Sequence, residues 1–530
     1  MMETIESVRG ALEAERRAAF DRRVHREADS LRAAVRAGEF DAGAFAMGLE
    51  LEGYVVDDAG RLAAAPENVF ETDGCSRELG LHNVELHTAP DVVSDGGLRR
   101  QASELRSTHR SVRDVLRESD RRFVFDAMWT VPPEAGTRRH LGDGRTVDGV
   151  FLADGMRPVP RYVALDQVIR ERNGGRIDLD LPALASAESM LVESLATSMQ
   201  PHLQIPDPTD VPRYLNVATR TMGPILSLSS NSPFLPADLY EEALADGSEE
   251  FEDLLAETPH ELRIPIFERS VEDGSNKCRV PRDVKTMDEL IERIASDPTL
   301  VAPPDLGDQE GAGNDGENGE PDGDGDEDTD DYRAFAAKRG TYWRWVRPVF
   351  GGEIPRADDG DGTPDGVADS VRIEYRPLPT QPTIRDTVGM QALVTGVLRG
   401  VDATGHPLAT LPWKDAEASF YAAVDDGPDA DLRWMTRDGE ETTATGRIYD
   451  ELFALARRGL DELGVGSETI EWALGPIEAR REATHGAPSA WKRAQVRENL
   501  ADGASVAEAI EEMQRTYVER SASGTPYAQW

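Results

Sequence analysis

Four short segments of this chain alternate polar and apolar residues with a period of two, and their polar positions repeat one chemistry. In Met47 to Asp57 (MGLELEGYVVD), Glu50 and Glu52 fall on one side of an extended strand and Leu49 and Leu51 on the other. In HNVELHT, Asn83, Glu85 and His87 share a face opposite Val84 and Leu86. In MQPHLQIPD, His202 and Gln204 alternate with Leu203 and Ile205. In VRIEYRP, Arg372, Glu374 and Arg376 share a face opposite Val371, Ile373 and Tyr375. A single strand of this kind needs only a sheet with one solvated face. Four of them, carrying paired carboxylates on some strands and guanidiniums beside a carboxylate on another, ask for more. Clustered acids repel and are costly unless cations hold them together. Arginines beside acids suit an anionic ligand such as phosphate or a carboxylate. A hard divalent ion bridging carboxylates and a nucleotide, Mg²⁺ with phosphate, is the simplest account of both.

Composition narrows the partners. The 530 residues include 100 Asp and Glu against 58 Lys and Arg, a formal net charge of -42. Such a field repels phosphate polymers and anionic lipid surfaces, which argues against nucleic acid and membrane partners. No run of about 18 apolar residues is present, so no membrane span is expected. The opening MMETIESVRG has acids where a signal peptide needs basic and then apolar residues. Two cysteines, Cys75 and Cys278, make no disulfide framework and no metal-ligand spacing. The expectation is a cytoplasmic, reduced protein. With only five lysines among so many acids, the balance also matches a halophilic cytosol, where salt screens self-repulsion.

Along the chain, residues 1–36 read as one amphipathic helix, with Val8, Leu12, Phe20, Val24, Ala28, Leu31 and Val35 at spacings near 3.6. Residues 1–40 are therefore expected as a helical arm, packed on the body or serving as an interface in a homo-oligomer. Strands are expected at Ala46 to Val56, Asn83 to Thr88 and Phe123 to Met128, with a helix from Leu98 to Arg117 between the last two. Ala187 to Thr197 reads as helix or strand with a capping acid, Met199 to Ile205 as extended, and Val211 to Leu226 as helix. Residues 306–331 are almost only Gly, Asp, Glu, Asn and Pro and cannot bury enough apolar area to order, so a disordered acidic insertion is expected. Residues 357–366 (ADDGDGTPDG) read as an acidic hairpin loop. Helices are expected at Val388 to Leu398, Ile448 to Leu463, Glu468 to Arg480 and Val506 to Tyr517. The division that follows is a catalytic domain over 41–400 and a helical C-terminal region over 401–530.

The motifs, in their order, resemble the glutamate–cysteine ligase family in its carboxylate–amine ligase branch. GLELEGYVVD is similar to that family's Gly-x-Glu-x-Glu strand, and RELGLHNVELHTAP to its second acidic strand, with Glu78 and Glu85 at the matching acids. The segment from Ser198 to Phe234 resembles its His-bearing strand, following helix and L-S-x-x-S-P turn. SVRIEYRPLPTQPT, preceded by Arg347-Pro348, resembles its Glu-x-Arg strand. The likeness spans roughly residues 46 to 400.

It implies an α+β, glutamine-synthetase-like fold: a curved antiparallel sheet with flanking helices and a helical C-terminal region, metal and ATP lying on the concave face. It implies small-molecule substrates, namely ATP, glutamate and an amine such as cysteine, joined as a γ-glutamyl amide through an acyl phosphate. Glu50, Glu52, Glu85 and Glu374, with Glu78, would hold Mg²⁺. Arg376 and Arg347 would act on phosphate or substrate carboxylate, and His202, Gln204 and Arg372 would bind nucleotide. For Arg347, stacking on Trp343 or Trp345 is an equal alternative; His82 and His87 read as structural, and Asn231 and Ser232 as shaping a turn before Pro233. Gln204 stands where the family usually has a second histidine, and Pro377-Leu378-Pro379 where it often has an Asp. These departures leave open another amine or amino acid, or a silent nucleotide- or metabolite-binding homologue.

Overall fold

The four alternating segments become neighbours in one curled antiparallel sheet of eight strands. The computed structural model describes residues 2–245, 247, 250–271, 277–303, 332–355 and 367–530. Across the sheet the order is Val346–Pro355, Val367–Tyr375, Met199–Gln204, Ala46–Val56, Asn83–His87 and Cys75–Arg77. Two short strands, Asp91–Val92 and Arg122–Val124, also pair with Ala46–Val56. Every pair in this sheet is antiparallel, and helices flank it, as expected for the α+β class.

Register follows from the apolar positions. Leu49, Leu51, Val84, Leu86, Leu203, Val371, Ile373 and Tyr375 are all buried, and each such side chain contributes roughly 1.5–3 kcal/mol on leaving water. A slip of one residue in any strand would turn its whole set to the other face, so the pairing is strongly specified. Helices Asp95–Arg117, Val211–Ser229 and Ile384–Thr404 pack against these strands. Gln391 donates to the carbonyl of Gly48 at 3.1 Å, pinning the third helix to the central strand.

That helix is in turn clamped by Thr445–Glu462. Their backbones approach so closely that a Cβ on Gly459 would lie 1.9 Å from the carbonyl oxygen of Gly396. The C-terminal helices reach the sheet through buried polar groups. Lys492 Nζ lies 2.5 Å from Asp126 Oδ1 and donates to the Asn231 carbonyl at 2.8 Å. Asn231 Nδ2 donates to the Thr380 carbonyl at 2.8 Å, and the Thr380 hydroxyl lies 2.9 Å from the backbone oxygens of both Glu52 and Ser198.

The structure corrects several expectations. The N-terminal helix is two, Met2–Leu12 and Ala14–Ala37, parted at Glu13; both pack on the body, the second through the Arg32–Glu292 and Arg36–Asp288 pairs. The expected strand over 123–128 is only Arg122–Val124. Ala187 to Thr197 contains the 3₁₀ helix Met190–Leu195, capped by the hydroxyl of Ser189 rather than by an acid. The four C-terminal helices are present with shifted bounds, Ile384–Thr404, Thr445–Glu462, Ser467–Glu478 and Val506–Ala522. Short helices that the periodicity did not reveal, among them Pro160–Arg172, Arg263–Ser270 and Arg333–Gly340, stand in the middle of the chain. The acidic segments 306–331 and 357–366 lie outside the described residues.

Gly459→Ala tests the helix clamp. With backbone on the far side of the clash, the pair must separate, and stability is expected to fall by about 1–3 kcal/mol, read as a lower denaturation midpoint.

Candidate functional site

Sheet register lays the polar residues out in rows. Ser76, Glu85 and Glu52 form one, with Glu85 directly opposite Glu52. His87, Glu50 and Gln200 form the next. Gly48, His202, Glu374 and Arg347 form the third. Like charges facing each other across a strand pair are destabilising, so the Glu52–Glu85 pair is kept at a cost.

All ten residues singled out in the sequence line one cavity of about 600 Å³: Glu50, Glu52, Glu78, Glu85, His202, Gln204, Arg347, Arg372, Glu374 and Arg376. Helices between the strands add Tyr162, Leu165, Glu193, Phe267 and Arg339 to the lining, and the segment after Gly340 adds Trp343.

The cavity is electrically divided. At one end, Glu52, Glu78 and Glu85 each bring a carboxylate oxygen within 4.8 Å of the others. Burial pushes the Glu85 carboxyl well above its ordinary value, and the charges of Glu50, Glu78 and Glu52 add to the push, against one hydrogen bond from Ser76 at 2.9 Å. Burial also raises Glu52, opposed by the Arg263 guanidinium and by hydrogen bonds from Ser198 N (2.8 Å) and Oγ (2.7 Å). Carboxylates gathered out of water, with this much mutual repulsion, offer oxygens of the kind a hard cation takes. Mg²⁺ fits these residues.

The other end is cationic. Glu374 is almost fully buried and encircled: Arg347 Nε at 2.8 Å, Arg376 in direct contact, Arg339 Nη1 at 3.8 Å. Burial works to raise its pKa, yet Arg347 and Arg376 outweigh it and hold the carboxyl well below the ordinary range. Burial lowers Arg347 to about 10, aided by Arg376, which leaves it protonated at neutral pH. Arg376 is itself raised, the loss of water being overcome by Glu374, and it also donates to Gln200 Oε1 at 2.9 Å. The geometry therefore makes Glu374 an anchor for guanidiniums, apart from the carboxylate trio. Arg347 does not stack on either tryptophan; Arg263 lies over Trp345 and Lys277 over Trp343.

His202 joins the two ends. Arg372 Nε donates to its Nδ1 at 3.2 Å, which leaves the ring proton on Nε2, 3.0 Å from Glu50 Oε1. Gln204 is already engaged: its Oε1 accepts from Ser370 at 2.5 Å and its Nε2 donates to the Ile205 carbonyl. His82 is buried against the Ser194 carbonyl and pushed down to about 3 by burial, a structural role. Asn231 and Ser232 bond within the protein and do not line the cavity.

Sequence reading missed Gln200, Glu193, Arg263 and Arg339. Gln200 shares the period-two face of His202 and was legible there. The other three sit on the 3₁₀ helix and on short helices, where no periodic signal marks them.

Residues 46–520 match glutamate-cysteine ligase family 2. The chain belongs to that family. The match runs past residue 400, so the C-terminal helices are part of the family region. No curated protein matches the chain. Similar solved structures include glutamate–cysteine ligase from Francisella tularensis in complex with AMP, 14% identical over 92% of this chain and 90% of that one, TM-score 0.44. Another is a bifunctional glutathione synthetase from Pasteurella multocida, 12% identical, TM-score 0.49, where the match covers 92% of this chain and 54% of that one. Among the described residues no helix is long and apolar enough to cross a membrane.

Glu193 offers a pH test of the site's electrostatics. Burial pushes its carboxyl from 4.5 up to about 8, a Ser270 hydrogen bond opposing. Between those values the folded chain keeps a proton that the unfolded chain has released, so stability falls as pH rises through the window. Glu193→Gln removes this dependence, and its melting temperature relative to wild type is expected to climb from pH 5 to pH 8.

Proposed function

We propose that this member of the ligase family is an ATP- and Mg²⁺-dependent enzyme joining glutamate, through its γ-carboxylate, to an amine such as cysteine. The observation that carries this reading is the single cavity with a carboxylate end and a guanidinium end, bridged by His202. Glu52, Glu78 and Glu85, with Glu50 beside them, would hold Mg²⁺, which supplies charge neutralisation for the ATP phosphates. Arg347 and Arg376, fixed on Glu374, present cations in one orientation, and Arg372 extends that surface to the His202 ring. Guanidiniums so placed bind phosphate or carboxylate oxygens and meet charge as it develops, with little reorganisation.

In the reaction the glutamate carboxylate oxygen attacks the γ-phosphorus and ADP departs. The amine nitrogen then attacks the acyl carbon and phosphate leaves. Such chemistry needs alignment and charge neutralisation more than a protein nucleophile, and no residue here is required as one. The net charge of -42 supports a working medium of high salt, where screening removes the self-repulsion.

The direct test incubates the protein in molar KCl with ATP, Mg²⁺, glutamate and a panel of amines. Amine-dependent ADP release is expected; none with any amine overturns the reading. Glu52→Gln should abolish release while leaving the melting temperature within a few degrees of wild type. A large loss of stability would make Glu52 a structural residue.

Metal binding is checked separately from turnover. Millimolar Mg²⁺ should raise the wild-type melting temperature by linkage, and Glu85→Gln should remove most of that rise.

A further inference from the structure

The two ends of the cavity meet at one uncharged side chain, Gln200. It stands on the strand Met199–Gln204 directly opposite Glu50, is 6% exposed and lines the cavity. Its Oε1 accepts from Arg376 Nη1 at 2.9 Å, and its Nε2 donates to Glu52 Oε1 at the longer distance of 3.4 Å. One planar amide therefore touches a cation of the guanidinium end and a carboxylate of the acidic end. Among the described residues no other side chain bonds to the side chains of both Glu52 and Arg376.

Arg376 Nη1 donates twice, to Glu374 and to Gln200. A terminal guanidinium nitrogen carries two hydrogens, so both are held by the protein. The Nε–Nη2 edge, the fork that grips an oxyanion through two parallel bonds, has no protein partner among the described residues.

Without the amide, the two ends have an alternative to this arrangement. The charge of Arg376 already acts on Glu52, and opposite charges out of water attract strongly at close range. An Arg376–Glu52 ion pair would set a metal ligand against an oxyanion binder and disable both. A carboxylate at position 200 would hold Arg376 but add an acid beside Glu50 and Glu52; an apolar side chain would hold neither neighbour. An amide offers a neutral acceptor to the cation and a neutral donor to the anion, and takes the charge of neither.

Resting on the Mg²⁺ and ATP reading above, we propose that Gln200 is a positioning residue that keeps the two ends of the site apart. It ties Arg376 back toward Glu374, so that Glu52 stays open to the metal and the Nε–Nη2 edge stays open to a phosphate or carboxylate oxyanion. It acts through these two neighbours.

The test reads metal binding without turnover. Mg²⁺ is titrated into the full-length protein in the absence of ATP and glutamate, and the half-saturating concentration is taken from the rise in melting temperature. In Gln200→Leu, Arg376 is free to pair with Glu52, and half-saturating Mg²⁺ is expected to rise about 10-fold. Arg376→Gln, which removes the cation, is the second background. There Gln200→Leu should leave half-saturation within about 3-fold, since no cation remains to occupy Glu52. A Gln200 that only supports its strand would weaken binding equally in both backgrounds; that result, or no weakening in either, overturns the assignment. Gln200→Glu keeps the acceptor for Arg376 and adds an acid, so its half-saturating Mg²⁺ is expected at or below the wild-type value. Should Gln200→Leu melt too low to titrate, this variant decides alone, and a value above wild type overturns the proposal. If Mg²⁺ does not raise the wild-type melting temperature at all, the metal reading of the acidic end falls first, and this inference falls with it.

Discussion

Crowding of carboxylates on one face of a sheet is the constraint on which the rest of the molecule depends. Glu52 and Glu85 face each other across paired strands, with Glu50 and Glu78 close by. In isolation that face would open or take up protons, because each buried acid raises the cost of ionising the next. The protein meets the repulsion with fixed donors rather than with lysines. Ser198 and Ser76 hold the two opposed acids, Arg263 lies behind Glu52, and the Arg347–Glu374–Arg376 group supplies positive charge across the cavity.

Holding those donors in place requires a rigid backing. The apolar faces of the strands supply it locally, and the helix Ile384–Thr404 supplies it globally, clamped by a helix crossing close enough to demand glycine. The C-terminal region contributes from a distance. Lys492 reaches Asn231, Asn231 reaches Thr380, and Thr380 meets the backbone of Glu52 and Ser198. A region that reads from sequence as a helical appendage is thus wired to the residue at the centre of the acidic cluster, in keeping with a family match that runs to residue 520.

Much of the site was legible, for a physical reason. In a strand the face of a side chain is decided by parity, so Glu50, Glu52, Glu85, His202, Arg372, Glu374 and Arg376 could be assigned to one surface before their partners were known. What parity cannot tell is who stands opposite. Parity puts Glu374 on the polar face, but only register sets it against Arg347 and only the chain's course brings Arg376 to its other side. For Arg347, stacking on a tryptophan stood as an equal alternative to ligand contact, and the tryptophans are taken by Arg263 and Lys277. Short helices defeat periodicity altogether: eight residues such as Arg263–Ser270 span two turns, too few for a stripe to stand out.

Sequence alone determined the alternation, the apolar faces, the long helices and the gathering of acids and arginines on strands, because local geometry and burial of apolar area are set by residue order. Tertiary structure alone decided which charges meet, that the cavity has two electrical ends, and that Glu193 joins its lining. Those depend on strand register and on loops that bring together residues far apart in the chain. The energy of a charge is settled by its neighbours in space and by its distance from water.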